Sequence, residues 1–153
     1  MKDGVGHALD QALAFWRAPA LLAAARQRSL PDDVLDVVRI AAGDSSAIAK
    51  GREVTAAEPA ELTEAAAFYL QQLLFAPGTD SYRVLGVNPD APDTRIKEHY
   101  RWLARWLHPD RNPDEWEALY ADRVNRAWQD LRTPSRRSAY DARRDDVGSF
   151  APE

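Results

Sequence analysis

With 153 residues and no cysteine, the chain has room for one ordinary domain or two small ones sharing an interface, and neither disulfides nor thiolate metal sites are open to it. Its formal charge of −4 divides as −3 over residues 1–79, +1 over 80–145 and −2 beyond, which argues against bulk nucleic-acid binding but permits a local basic stripe. The start lacks a basic segment followed by a long apolar run, and charges interrupt every apolar stretch before about 18 residues, so neither a secretory signal nor a membrane span is expected.

Residues 1–77 read as an all-helical region. The spacing of Leu9, Leu13 and Trp16 predicts one helix face over His7 to Arg17. Pro19 suits the first turn of a second helix running to about Gln27. Pro31-Asp32-Asp33 places a proline and two acids at the positive end of a third, through Val34 to Ala41, with Gly43 as its C-cap. A short helix from Ala47 to Lys50 is expected to stop at Gly51. Pro59 then opens a longer one, whose Leu62, Ala65, Ala66, Tyr69, Leu70, Leu73 and Leu74 form a broad apolar face. Pro77-Gly78 breaks it. So short a linker, at Ala76 to Thr79, implies that the parts on either side of it touch.

Beyond Asp80 four helices are predicted: Tyr82–Leu85, Asp93–Leu107, Asp114–Arg132 and Pro134–Arg143. Ile96, Tyr100, Leu103 and Leu107 share a narrow face of the second, and Lys97, Arg101 and Arg105 form a basic stripe leading to His108. Pro109 ends that helix because it donates no N–H and drives His108 out of the α region. Trp116, Tyr120, Val124, Ala127 and Leu131 keep helical spacing in the third, so the pair closes as an antiparallel hairpin with His108-Pro109-Asp110 at its tip. The last residues, 145–153, carry no packing pattern and are expected to form a frayed tail.

Taken together, Tyr82-Arg83-Val84-Leu85-Gly86-Val87, Ile96-Lys97, Tyr100-Arg101, His108-Pro109-Asp110, Arg111-Asn112-Pro113, Val124-Asn125, Ala127-Trp128 and Ala139-Tyr140-Asp141 stand in the order and spacing of a known module. Residues 80–144 resemble a J-domain, the module of DnaJ-type co-chaperones. The resemblance implies an all-α fold, with a J-domain-like four-helix module preceded by a packed N-terminal helical region that is not itself recognised. It implies a DnaK-type ATP-dependent chaperone as partner, with ATP hydrolysis triggered in that partner by His108, Pro109 and Asp110. Lys97, Arg101, Arg105, Arg111 and Asn112 would complete the docking surface. The chain has no Gly/Phe-rich stretch and no cysteine-rich repeats, which points to a specialist whose N-terminal region chooses a site or an unknown client, in a cytoplasmic setting.

Each feature has a plainer reading. His108 and Asp110 fit ordinary solvated loop residues, and the basic stripe fits the wet face of an amphipathic helix. An enzyme is not expected, since no Ser, Cys or oxyanion-type glycine loop accompanies His108. His7, His99 and His108 lack ligand spacing, so no metal is expected. Glu98, Trp102 and Trp106 stand where many J-domains carry Lys or Arg, which weakens electrostatic steering and motivates an alternative, an interaction module without productive chaperone coupling. The two tryptophans are expected on the flank opposite the basic stripe, as an interdomain or partner contact, with the N-terminal helices packing over both.

Overall fold

The computed structural model describes residues 7–110 and 115–150. Every regular element among them is helical: α1 (His7–Arg17), a 3-10 turn (Pro19–Leu21) continuing into α2 (Leu22–Ala25), α3 (Val34–Ala41), α4 (Ser45–Thr55), α5 (Pro59–Leu73), α6 (Ser81–Val84), α7 (Asp93–Trp106), α8 (Glu115–Leu131) and α9 (Pro134–Phe150). The fold is all-α, as the helical periodicity implied.

The N-terminal region is built on α3 and α5. Val34, Val37, Val38 and Ile40 of α3 are buried against α1 and α5, and all seven apolar residues predicted on the α5 face are buried. Asp33 precedes α3, yet its carboxylate caps a different helix. It accepts from the N–H of His7 at 2.9 Å and of Ala8 at 3.0 Å, so the acid placed for one helix dipole serves the neighbouring one.

Three sequence expectations are corrected here. Trp16 is 38% exposed, because Phe15 takes the inward position of α1 and stacks on Tyr69 with ring centroids 6.0 Å apart. α4 does not stop at Gly51 but continues to Thr55, where Ala56 adopts a left-handed φ of 63°. Gly51 serves close packing: a Cβ there would lie 3.1 Å from Leu9 Cδ2, 3.3 Å from Ile40 Cδ1 and 3.4 Å from Leu62 Cδ1. Finally, α9 runs on to Phe150, past Arg143, since neither proline nor glycine intervenes between Pro134 and Gly148.

One apolar core runs from α1 to α8, joining the N-terminal helices to the hairpin of α7 and α8. At roughly 1.5–3 kcal/mol for each large apolar side chain withdrawn from water, it outweighs any single surface ion pair severalfold. Gly86 lies at the junction with φ of 76°, and a Cβ there would meet Val34 of α3, Leu74 after α5 and His99 of α7, all within 3.4 Å. Only glycine satisfies both that backbone and that approach.

Candidate functional site

Helix α7 presents three faces. The first, formed by Ile96, Leu103 and Leu107, is buried in the hairpin, where half-buried Tyr100 stacks on Trp128 at 4.6 Å and donates to Asn125 Oδ1 at 3.1 Å. The second carries His99, Trp102 and Trp106 towards the N-terminal region, against which α3 packs. Lys97, Glu98, Arg101 and Arg105 on the third are all exposed.

The structure separates the two tryptophans. Trp106 is 3% exposed, with its ring 6.3 Å from that of Phe75, and Phe75 in turn stacks on Tyr120 at 4.4 Å. The last aromatic side chain of the N-terminal region thus sits between α7 and α8. Trp102 is half-buried, with the Arg105 guanidinium 4.8 Å from its ring on its own helix and Arg39 of α3 at 5.2 Å. It therefore adjoins the basic stripe and does not lie opposite it, because residues three apart on a helix are neighbours. Arg39 is held by Asp44 at 2.6 Å, and that guanidinium keeps the Asp44 carboxyl below the usual carboxylate range. Asp44 also caps α4 through Ala47 N–H at 3.1 Å.

At the tip, α7 closes with Leu107 N–H on Leu103 O at 3.0 Å, and Pro109 follows. His108, Pro109 and Asp110 are exposed. The amide N–H of Asp110 donates to His108 Nδ1 at 3.1 Å, while the Asp110 carboxylate stands 3.8 Å from the same nitrogen. Those two contacts compete: an imidazole accepting at Nδ1 is not protonated there. Arg111, Asn112 and the Trp116 side chain lie outside the described residues. No group of three or more metal-ligating side chains occurs among the described residues, and no helix among them is long and apolar enough to cross a membrane.

Several residues organise this site through contacts that the sequence reading did not foresee. His99 is 1% exposed and donates from Nδ1 to Leu85 O at 3.0 Å. Burial pushes its pKa down to about 4. Arg83 reaches Leu73 O at 3.0 Å, Arg28 O at 2.6 Å and Ala25 O at 3.3 Å, bonding carbonyls at the ends of α2 and α5 together. Arg123 holds Phe75 O at 2.6 Å and Thr79 Oγ1 at 2.9 Å across the linker. The Asn88 amide pairs with both backbone groups of Leu30, at 3.0 and 2.8 Å. Of the neighbouring Arg136 and Arg137, only Arg136 is exposed. The Arg137 guanidinium bonds Asp93 at 2.7 Å, Tyr82 Oη at 3.1 Å, and the carbonyls of Pro89 and Ala91 at 2.9 and 2.7 Å. A proline-rich turn with several unpaired carbonyls is what draws it in.

Residues 80–141 match the family model of the DnaJ domain. This part of the chain is a J-domain. The match leaves the N-terminal helices outside it. Over 73 residues the chain is 47% identical to chaperone protein DnaJ 1 of Aquifex aeolicus, covering 46% of this chain and 20% of that protein. It is 41% identical over 73 residues to chaperone protein DnaJ 2 of Streptomyces coelicolor, covering 48% and 19%. With the human DnaJ homolog subfamily A member 4 it shares 43% over 63 residues, covering 41% and 15%. The chain thus spans a fifth or less of the length of these curated relatives. No solved structure matches.

Proposed function

We propose that this chain is a J-domain co-chaperone that stimulates ATP hydrolysis by a DnaK-type chaperone. Residues 80–144 act on the chaperone, and residues 1–77 give targeting or client specificity. His108, Pro109 and Asp110 form the trigger, with Lys97, Arg101 and Arg105 steering the approach. Arg111 and Asn112 join them on the strength of sequence alone, and a cytoplasmic setting belongs to the same reading.

One observation supports this above the others. The N-terminal helices cover the His99–Trp102–Trp106 face of α7, so the exposed stripe and the exposed tip remain together on the side left open. In this reading the chemistry resides in the partner, and the sequence between Ser81 and Ser135 carries no Ser or Cys for His108 to activate.

The test is ATP hydrolysis by a DnaK-type chaperone under single-turnover conditions. Wild type should accelerate it and His108→Gln should not, with helicity and melting temperature unchanged, because an exposed loop side chain adds little packing. Arg101→Glu should slow association, and rising salt should weaken the wild type, exposed charges being screened within about 8 Å at physiological ionic strength. Equal stimulation by His108→Gln would reject the proposal. The second reading, an interaction module without coupling, draws on Arg105 lying over Trp102. It would be supported by salt-sensitive binding without acceleration.

A further inference from the structure

From Ala18 to Ala25 the sequence runs Ala-Pro-Ala-Leu-Leu-Ala-Ala-Ala, eight residues without one polar side chain, bracketed by Arg17 and Arg26. In a folded protein such a run is ordinarily core. Here Ala18, Pro19, Ala20, Leu21, Ala23 and Ala24 are exposed, Leu21 at 52%, and only Leu22 is buried to anchor the turn. The J-domain surface has no part in it.

Three features of this turn point to one kind of partner. Its backbone closes on itself: Ala18 N–H bonds Ala14 O at 2.8 Å, Leu21 N–H bonds Ala18 O at 3.1 Å, and Leu22 N–H bonds Pro19 O. Arg26 N–H returns to Leu22 O at 3.0 Å and Gln27 N–H to Ala24 O at 3.1 Å. Most of the tip's amides are thus satisfied internally, and Ala20 N–H, in the open first turn, is the donor left to a headgroup oxygen.

Along the chain the charge around it is one-sided, and Asp80, the acid that lines the same cavity as Arg26, is shared with Arg144 at 3.4 Å. Between Gln11 and Pro31 stand Arg17, Arg26 and Arg28 and no acid. The α5 acids nearest in the packing are Glu61, which Arg17 neutralises at 2.9 and 3.1 Å, and exposed Glu64. Arg26 bonds only the neutral Gln72, through its side chain at 2.5 Å and its carbonyl at 3.4 Å, and so keeps its charge. At the base of the turn, partly exposed Trp16 lies edge-on to Phe68 at 5.6 Å, the amphipathic ring that belongs at a headgroup level.

Small convex side chains offer a protein partner little to grip, since protein interfaces are anchored by large side chains in pockets. We propose that the Ala18–Ala25 turn inserts shallowly into an anionic lipid surface, with Leu21 as its deepest side chain and Arg26 and Arg28 at the phosphates. This places the chain on a membrane without spanning it, and it stands independently of the co-chaperone reading.

Flotation of the whole chain with vesicles tests the idea. Wild type should float with phosphatidylcholine vesicles containing phosphatidylglycerol, and much less with phosphatidylcholine alone. Leu21→Glu and Ala20→Asp, both at exposed positions, should each weaken binding about tenfold or more, with helicity and chaperone stimulation in solution unchanged. Arg26→Gln should weaken it less. Absence from anionic vesicles, indifference to lipid charge, or flotation of Leu21→Glu like wild type would each overturn the proposal. Self-association abolished by Leu21→Glu, without vesicle binding, would assign the turn to a second copy of the chain and overturn it equally.

Discussion

His99 and Arg137 show how single residues tie this molecule together. A histidine in solution takes up its proton near pH 6.5, whereas burial holds folded His99 near 4. Between those values the unfolded chain carries the additional proton, so acidification from about pH 6.5 towards pH 4 removes stability, roughly 3 kcal/mol in all. Urea titrations should show the stability gap between wild type and His99→Asn narrowing by about 2 kcal/mol from pH 7 to pH 5. Asp36, raised by burial, and Asp44 and Glu61, lowered by arginine bonds, titrate in both proteins and cancel in that comparison. A gap constant with pH would mean that burial does not penalise the imidazolium. Arg137→Ala removes the part-buried bonds to Ala91 O and Tyr82 Oη, while water takes up the exposed Pro89 carbonyl and Asp93 carboxylate, so it should cost about 1–3 kcal/mol in the same titration. Arg137→Lys should restore the charge but not the fork, and recover only part of the loss.

At the scale of the helices, punctuation was the most legible part of the chain. Pro59, Pro92-Asp93 and Pro134 open helices where their missing N–H groups cost nothing, and Pro77-Gly78 and Pro109 separate or end them. The tip residues and basic stripe were legible for the same reason, being local features of one helix and its end. Gly51 was misread because a glycine needed for positive φ and one needed for close approach look alike in sequence; only its neighbours distinguish them. They make a prediction. Since Gly51 is helical, Ala brings about 1 kcal/mol of helix propensity, nearly offset by pushing the flexible Leu9, Ile40 and Leu62 side chains aside. Gly51→Ala should therefore change stability by less than about 1 kcal/mol, whereas Gly51→Val should lose about 2–3 kcal/mol. A large loss for Ala would mean that Leu9, Ile40 and Leu62 cannot give way around the added methyl. Asn88 with Leu30, and Arg83 with Ala25 and Arg28, stayed hidden because each pair is more than fifty residues apart and carries no periodic mark.

At the scale of the whole molecule, the N-terminal region completes the J-domain. Phe75 fills the space between Trp106 and Tyr120, α3 covers His99, and Arg83, Asn88 and Arg123 each bond backbone at or before the linker. Removing residues 1–77 would expose the Trp106 ring, open the Gly86 contact to solvent and leave three polar side chains without those partners. The truncated J-domain should still form its hairpin, because Ile96, Leu103, Leu107, Val124, Ala127 and Leu131 pack within it. It should nevertheless unfold at a lower urea concentration than the intact chain, by several kcal/mol, since burial of one large aromatic alone is worth about 1.5–3 kcal/mol. Its tryptophan emission should shift to the red. Five tryptophans contribute to that signal, so the shift is assigned by repeating it with Trp106→Phe and Trp102→Phe. Most of it should vanish with the first, whose indole passes from 3% exposed to open, and little with the second, already half in solvent. A fragment that melts like the intact chain, with unshifted emission, would mean that the two regions fold independently and that the shared core contributes nothing to the J-domain's stability.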